Sequence, residues 1–299
     1  MTLRSHLVDS LLERCHFPPS TEVVCAVSGG ADSLALLALA VAHGARVTAI
    51  HVDHGLRAGS EGEADLVERC ARDVGAWFES RRVQVEPGPN VEARARAARY
   101  AALPADVLTG HTADDRAETI LINLLRGAAT SGLTGMNLTG GPSGRVVHPL
   151  LHIRRHETRA VCAEMGWVPF EDPSNQDVAL LRNRIRHDVL PMLVDVAGRD
   201  LVEILTRQAD LIGDDDAFLE SLATTIDPTD ARALSSAPPP LARRAIRAWL
   251  TTDHPPDAAS VERVLAVARG EAVACEIPGG NRVHRKNQRL FRNETVSHD

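Results

Sequence analysis

The sequence predicts an α/β fold, in which a parallel sheet is covered by helices, followed by a small, mainly helical domain. Three observations lead to this prediction. Short apolar segments alternate with segments of helical periodicity over about the first 150 residues, and a glycine-rich turn follows the first apolar segment. From about residue 200 onward, helical periodicity dominates. We therefore expect residues 1–200 to form one domain and residues 201–299 a second.

Each element is assigned from its hydrophobic period. Apolar or β-branched runs predict strands, and apolar residues three or four positions apart predict helices. The expected strands are 23–27, 46–53, 77–85, 106–110 and 145–150, and the expected helices of the first domain are 34–42, 63–74, 91–102, 114–126, 154–165 and 181–190. Residues 127–144 are expected to form a loop, and Pro191 to interrupt the last helix. The second domain is expected to contain helices at 201–219, 241–250 and 260–268.

The composition excludes several classes of protein. The chain has 299 residues, and no apolar run reaches the roughly 18 residues that span a bilayer. Residues 1–19 lack a secretory signal, so we expect a cytoplasmic protein without membrane association. The net charge of −7 argues weakly against nucleic-acid binding, but net charge is a poor guide where basic residues cluster. Lys286 is the only lysine, which excludes a phosphate-binding lysine in the first domain.

The first candidate site is the turn Ser28-Gly29-Gly30-Ala31-Asp32-Ser33, between a strand and a helix. Glycines let backbone N–H groups approach an anion closely, and the start of a helix adds a positive dipole end. The hydroxyls of Ser28 and Ser33 add donors. Because Asp32 would repel a bare phosphate, we expect it to bind a Mg²⁺ ion that bridges to the phosphates. The competing interpretation is an ordinary turn with a helix cap.

A second polar cluster follows the next strand. His51, Asp53, His54 and Arg57 occur in the segment HVDHGLR. In parallel sheets ligands bind beyond the carboxyl ends of the strands, so the adenine and ribose of a nucleotide are expected to lie across these residues. The alternative is a polar turn that contains two histidines.

A third cluster, TGHTADDRAET, contains Gly110, His111, Asp115 and Glu118. Positions 111, 115 and 118 are four and three residues apart, which would place them on one face of a helix. Such a face can hold Mg²⁺ or a substrate ammonium. The alternative is an acidic first turn favoured by the helix dipole, which explains Asp115 better than Glu118 or His111.

A fourth cluster comprises EDPSN, at residues 171–175, and RNRIR, which contains Arg182 and Arg186. These arginines could neutralise charge that develops at a reacting phosphate. The alternative is a solvated turn followed by the basic face of a helix.

Taken in order, these motifs resemble those of a known family. Residues 28–33 resemble the PP-loop of N-type ATP pyrophosphatases, whose fold is adenine nucleotide α-hydrolase-like and Rossmann-like. The segments SGGADS, HVDHGLR, EARARAARY, TGHTADDRAET, LLRGAATSGLTGM, HPLL and EDPSN…RNRIR occur in the order found in tRNA(Ile)-lysidine synthetases. This resemblance covers about residues 21–192. LARRAIRAWL and IPGGNRVHRKNQRLF are similar to the small C-terminal domain of the family, and we expect a short form without the further domain of longer relatives.

The resemblance implies an ATP-dependent ligase that modifies tRNA. In this family the wobble cytidine of the isoleucine tRNA with a CAU anticodon is adenylated by ATP, and free L-lysine then displaces AMP. The implied partners are ATP, Mg²⁺, this tRNA and lysine, and a homodimer remains open. Residues 28–33 would bind the phosphates, with Asp32 on the metal. Asp115 and Glu118, with His111 nearby, would hold the cationic lysine, and Arg182 or Arg186 would stabilise charge.

Two groups of basic residues are expected to contact the tRNA phosphates, which would make binding weaken as salt increases. One group is Arg94, Arg96 and Arg99, and the other is Arg282, Arg285, Lys286, Arg289 and Arg292. The alternative is that these residues only solvate exposed faces.

Other functions remain open from the sequence. A PP-loop tRNA thiolase would commonly need cysteine pairs, and the five cysteines are scattered without a CxxC pair. An amidotransferase-linked synthetase would need a partner that delivers ammonia. A non-catalytic RNA-binding module would not need Asp32, Asp115 and Glu118, which are all present.

Overall fold

A computed structural model describes residues 3–53, 55, 61–84, 91–140, 146–172, 177–252 and 255–293. The chain divides into two compact units, one ending at Asp210 and the other beginning at Leu211. The sequence indicated a boundary at residue 200, and that division into domains stays a prediction. Among the residues described, no helix is both long enough and apolar enough to cross a membrane.

The first unit is built on a six-stranded sheet. Its strands are β1 (Glu22–Ala26), β2 (Arg46–Asp53), β3 (Trp77–Arg82), β4 (Val107–Thr109), β5 (Thr139–Gly140) and β6 (Val146–Val147). Their order is β3-β2-β1-β4-β6-β5, with β5 antiparallel at one edge and the other pairs parallel. The predicted parallel α/β fold is confirmed.

Helices connect these strands and cover the sheet. They are α1 (His6–Leu12), α2 (Ala31–Ala42), α3 (Glu61–Val74), α4 (Val91–Ala101), α5 (Ala113–Leu125), α6 (Thr130–Leu133), α7 (Arg155–Glu164), α8 (Leu181–Arg184), α9 (Leu190–Ala197) and the start of α10 (Leu201–Ala223). Leu34, Leu36, Leu37 and Leu39 of α2 are completely buried. A helix that is apolar on all sides belongs in the interior, so α2 forms the centre of this core.

Two parts of the first unit differ from the expectation. The stretch 127–144 was expected to be a loop, but it contains α6 and β5, which are too short for a hydrophobic period to reveal. The expected interruption at Pro191 is also wrong. A π-helical turn, Ile185–Val189, joins α8 to α9, and Pro191 lies in the first turn of α9, where its missing N–H is tolerated.

The strand order changes direction at β1, which has β2 on one side and β4 on the other. At such a switch point, the helices that follow neighbouring strands leave a crevice beyond the carboxyl ends. The turn 27–30 follows β1, and residues 110–112 follow β4. Two of the polar clusters found in the sequence are therefore brought to the same edge of the sheet.

The second unit combines helices with a three-stranded antiparallel sheet. Beyond α10 it contains α11 (Ala231–Ser236), α12 (Pro239–Leu250), α13 (Ala258–Arg269), β7 (Ala274–Ile277), β8 (Asn281–Lys286) and β9 (Arg289–Asn293). The sequence analysis found the longer helices but missed the sheet. The hairpin between β8 and β9 turns at Asn287 and Gln288, whose φ angles are 50° and 63°. Because neither residue is glycine, the usual sequence signal of a two-residue hairpin is weak.

Candidate active site

A cavity of about 880 Å³ lies at the carboxyl ends of β1, β2 and β4. A volume of this size suits a nucleotide-sized ligand. His54 and Arg57, which were predicted to contact the nucleotide, lie outside the described residues. The cavity wall includes these residues singled out in the sequence: Ser28, Gly30, Ala31, Asp32, Ser33, His51, Gly110, His111, Asp115 and Arg186.

The turn after β1 is held in a shape that suits an anion. Gly29 has a φ of 80°, a conformation that favours glycine, and Gly30 is the N-cap of α2. The hydroxyl of Ser33 donates to the carbonyl of Gly30 at 2.9 Å and accepts from the N–H of Ser28 at 3.1 Å. The Ser33 hydroxyl thus fixes the turn from within. The N–H groups of Ser33 and Leu34 donate to the carbonyl of Gly30, whereas those of Ala31 and Asp32 precede the first turn of hydrogen bonds and can donate to a phosphate.

Asp32, in the first turn of α2, contacts α7. The hydroxyl of Thr158 donates to its Oδ1, and Nε of Arg155 lies 3.6 Å from its Oδ2. Burial raises the pKa of Asp32 to about 6, helped by the charge of Asp115 and opposed by Thr158 and Arg155. A carboxylate whose ionised form is disfavoured by burial is stabilised by a bound cation.

This environment fits the Mg²⁺ ion predicted at Asp32. Mg²⁺ is commonly held by one or two carboxylates together with substrate phosphates and water. In the part of the chain that the structure describes, no group of three or more His, Cys, Asp or Glu side chains is arranged to hold a metal. A metal at Asp32 would therefore take further ligands from the substrate phosphates and water.

Strand β2 contributes two of the predicted nucleotide-binding residues. His51 is 3% exposed, and its Nδ1 lies 3.0 Å from the carbonyl oxygen of Val27. An imidazole that donates through Nδ1 to this carbonyl has Nε2 as its second ring nitrogen for a ligand. Asp53 accepts the N–H of Gly55 at 2.8 Å. The adenine and ribose contacts expected of these residues stay predictions.

Gly110 brings the end of β4 against the phosphate-binding turn. A Cβ atom at this position would lie 2.6 Å from the carbonyl oxygen of Asp32 and 2.9 Å from the backbone nitrogen of Ser33. Both are backbone atoms, which cannot rotate away as a side chain can. The close approach therefore requires glycine, which gives Gly110 a packing role beside the nucleotide contact predicted for it.

Five charged side chains form what we call the carboxylate–arginine cluster: Asp115 and Glu118 of α5, Arg155 of α7, Arg182 of α8 and Arg186 of the π-helical turn. The Glu118 side chain is completely buried. Its Oε1 accepts from Nη1 of Arg155 at 3.1 Å and from Nε of Arg186 at 2.7 Å. Its Oε2 accepts from Nε of Arg182 at 2.9 Å and from Nη2 of Arg186 at 3.0 Å. One carboxylate thus binds three guanidinium groups.

Asp115 joins this cluster to the start of α5. Its Oδ1 accepts from Arg155 at 3.0 Å and from Arg182 at 3.1 Å, and its Oδ2 accepts the N–H and hydroxyl of Thr112, both at 2.9 Å. Burial alone would raise the pKa of Asp115, but the charges of Arg155 and Arg182 hold it below its usual value. Arg155 also lies 3.6 Å from Asp32, so the three guanidinium groups face three carboxylates, and Arg155 and Arg186 border the cavity.

Asp115 and Glu118 therefore already have cationic partners within the protein. For either to receive the ammonium of lysine, as the sequence suggested, an arginine would have to give up its place. The side chain of Arg182 is 36% exposed, whereas those of Arg155 and Arg186 are each 20% exposed. Arg182 is thus the arginine that can be displaced most easily, and the lysine-binding role stays a prediction.

His111 does not lie on a helix, contrary to the expectation that it shares a helical face with Asp115 and Glu118. Thr112 is the N-cap of α5, so His111 precedes the helix. Its Nδ1 lies 2.9 Å from the hydroxyl of Thr109, which is itself 2.6 Å from Nδ1 of His148. Burial lowers the pKa of His111 to about 3 and that of His148 to about 4. Both imidazoles are therefore neutral at pH 7.

Arg155 and Thr158 touch Asp32 from α7 and were not predicted from the sequence. The sequence contained one signal of these contacts. Arg154 and Arg155 lie at the start of a helix, where the positive end of the helix dipole is unfavourable for cations. Two arginines at the start of a helix indicate that carboxylates nearby in the fold neutralise their charges. Arg154 indeed donates to both carboxylate oxygens of Asp114, at 3.1 Å each.

The fold and the cavity define the class to which the chain belongs. A family model described as a PP-loop domain matches residues 3–193, and one described as a TilS substrate binding domain matches residues 230–291. The chain is thus an ATP-using enzyme of the PP-loop class. The U34-tRNA thiolase NcsA from Methanococcus maripaludis shares the fold, with a TM-score of 0.53 over 69% of this chain and 77% of that chain, at 16% identity.

Similar sequences narrow the class to one family. A tRNA(Ile)-lysidine synthase of Nocardia farcinica is 44% identical over 249 residues, which cover 79% of this chain and 77% of the relative. A tRNA(Ile)-lysidine synthase of Salinispora tropica is 38% identical over 308 aligned positions, which cover 91% of each chain. The chain belongs to the tRNA(Ile)-lysidine synthase family.

The contact at Gly110 predicts the effect of adding one methyl group. Gly110→Ala should lower the free energy of unfolding by about 1–3 kcal/mol, because the methyl meets backbone atoms of Asp32 and Ser33. Gly62→Ala is the matched control, since a Cβ atom there meets nothing within 4 Å and alanine favours a helix. Chemical denaturation measures both variants. Equal stability of the two would contradict the packing role of Gly110.

The two buried histidines predict how stability depends on pH. An unfolded histidine titrates near pH 6.5, whereas His111 and His148 stay neutral in the folded state to about pH 4. As the pH falls below 6.5, the unfolded state binds protons that the folded state does not, so the free energy of unfolding should decrease. His148→Gln should reduce this decrease by up to about 1 kcal/mol per pH unit. Urea denaturation at pH 7 and pH 5 tests this, and identical pH dependence in both proteins would refute it.

Proposed function

We propose that this chain joins free L-lysine to C2 of the wobble cytidine in the isoleucine tRNA with a CAU anticodon. The reaction consumes ATP, releases AMP and pyrophosphate, and forms a carbon–nitrogen bond. Membership of the tRNA(Ile)-lysidine synthase family, with relatives 38% and 44% identical over most of the chain, carries the proposal. The cavity supports it, because the phosphate-binding turn, Asp32, Arg155 and Arg186 border one space.

In the first step, the C2 oxygen of the cytidine attacks the α-phosphate of ATP. The bond to the bridging oxygen of the β-phosphate breaks, and pyrophosphate leaves. The backbone of residues 28–33 binds the polyphosphate, while Arg155 and Arg186 stabilise the negative charge that develops. Asp32 would hold Mg²⁺, which supplies further charge neutralisation when it is bound.

In the second step, the ε-amine of lysine forms a bond to C2, and the bond from C2 to the oxygen of AMP breaks. Only the neutral amine attacks, so lysine must lose a proton after it binds. The lysine-binding role of Asp115 and Glu118 requires the ammonium to take the place of Arg182. His111 is neutral at pH 7, so it contributes hydrogen bonding to this side of the cavity and no charge.

The thiolase alternative receives no support from the cysteines. Cys25, Cys70 and Cys162 are buried in β1, α3 and α7, and burial raises the pKa of each thiol. Sulfur chemistry depends on the thiolate, which a raised pKa disfavours. At 16% identity, the likeness to a tRNA thiolase shows a shared fold and carries no conclusion about function.

The proposal is tested by incubating the protein with ATP, radiolabelled lysine and the isoleucine tRNA. We expect labelled lysidine at the wobble position, with AMP and pyrophosphate in equal amounts, measured by nucleoside analysis and nucleotide chromatography. The same tRNA with uridine at the wobble position is the control and should receive no label. Release of ADP and orthophosphate, or consumption of ATP without labelling of the tRNA, would contradict the proposal.

Removing the charge of Glu118 separates its two candidate roles. If Glu118 positions the arginines, Glu118→Gln should slow adenylation of the cytidine at least about 10-fold, because the guanidinium groups lose their fixed geometry. Adenylation is measured with α-labelled ATP in a single turnover. Transfer of lysine is measured separately, on tRNA that the unaltered enzyme has already adenylated.

The matched control is Asp210→Asn, which removes a carboxylate paired with buried Arg116 at 2.6 Å but leaves the carboxylate–arginine cluster intact. This variant should adenylate at the normal rate. Thermal unfolding of both variants identifies any general loss of structure. Normal adenylation combined with failed lysine transfer in Glu118→Gln would reject the positioning role and favour direct binding of the lysine ammonium.

A further inference from the structure

The antiparallel sheet of the second unit has one face that packs on the helices and one that does not. Val283 and Leu290 are 0% and 2% exposed and lie on the inner face. Arg285 pairs with Leu290, and Arg292 pairs with Val283, so both arginines share the inner face. Arg285 donates to the carbonyl of Ala268 at 2.7 Å. Arg285 and Arg292 therefore lie on the face opposite to Arg282, Lys286 and Arg289, the other members of the basic group expected to contact phosphates.

The outer face is cationic around a pair of stacked rings. We call it the outer sheet face, and it comprises Arg282, His284, Lys286, Arg289 and Phe291. His284 and Phe291 are cross-strand partners whose ring centroids lie 5.4 Å apart at an angle of 22°. Phe291 is 45% exposed, which leaves ring surface accessible beside the stack.

The charges on this face are mostly positive. Arg282 and Lys286 are exposed on β8, at either side of His284. Arg289, at the start of β9, pairs with the exposed carboxylate of Asp227 at 2.5 Å. Glu276 of β7 lies opposite Arg282 and is the one carboxylate that the register of the three strands brings to this face. Arg282, which faces Glu276, and Lys286 thus place a cation on each side of the rings.

We propose that the outer sheet face binds an unpaired base of the tRNA and the phosphates beside it. This inference rests on the proposed function, which makes tRNA the substrate. Exposed rings flanked by arginine and lysine are the combination that binds single-stranded nucleic acid, because bases stack on the rings while cations contact the backbone. A protein partner would use an exposed ring as well, but it would not require cations on both sides of the ring.

The test is tRNA binding to the full chain at several salt concentrations. Phe291→Ala should weaken binding about 10-fold through loss of stacking, and Phe291→Trp should preserve it. Phe218→Ala is the matched control, because Phe218 is also an exposed ring of the second unit, 63% exposed on α10. It should bind tRNA normally. Arg282→Gln and Lys286→Gln should each reduce the log–log salt slope by about 0.7–0.9.

The outcomes separate this inference from the proposed function. If the unaltered protein makes lysidine and Phe291→Ala binds tRNA as tightly as Phe218→Ala, stacking on the outer sheet face is wrong and the proposed function stands. Salt slopes that do not change in Arg282→Gln and Lys286→Gln would likewise overturn the phosphate contacts. If the unaltered protein neither binds tRNA nor makes lysidine, the proposed function fails, and this inference fails with it.

Discussion

The buried carboxylate of Glu118 is the interaction on which the rest of the site depends. An ionised group without exposure to water is very unfavourable unless it is paired and hydrogen-bonded. Here four hydrogen bonds from three guanidinium groups satisfy it. Removing one partner of such a buried group typically costs about 3–5 kcal/mol. The segments that carry these arginines, α7 and residues 182–186, are consequently tied to α5 and cannot shift independently.

The pairing of buried Glu118 with these arginines brings the starts of three helices together. Asp32 lies in the first turn of α2, Asp115 in that of α5, and Arg155 in that of α7, and their side chains contact one another through Arg155. Each helix start contributes a positive dipole end, and Arg155 and Arg186 place guanidinium groups at the cavity wall. The resulting field suits a polyphosphate in a protein whose net charge is −7. The distribution of charge, rather than its sum, therefore determines which ligand this cavity can hold.

The sequence predicted the elements with a clear hydrophobic period and the motifs at strand ends. The strand at 46–53, the buried helix α2 and the turn 28–33 were found where expected, because each carries its own local signal. The partners of Glu118 were not predictable in this way. Arg155 and Arg182 are 37 and 64 residues away from it along the chain, so only tertiary packing joins them.

Other features were missed for different physical reasons. Pro191 was expected to break the helix, but a π-helical turn at 185–189 is found instead. The local sequence does not reveal this shifted hydrogen-bond pattern. The hairpin of β8 and β9 turns without glycine. His148 joins Thr109 and His111 although it is remote in sequence, because β6 lies beside β4. Only the last of these features depends on a neighbour that is remote in the sequence.

The role of Glu118 is tested most directly by the exchange of arginine Nε–H protons with solvent, observed by NMR on protein labelled with ¹⁵N at arginine. Two of these protons, on Arg182 and Arg186, donate to Glu118 and should exchange slowly. In Glu118→Gln both should exchange much faster, while the Nε–H of Arg116, which donates to the carbonyl of Thr134 at 3.2 Å, should stay protected. Slow exchange at Arg182 and Arg186 in the variant would contradict the claim that the buried charge of Glu118 holds these guanidinium groups in place.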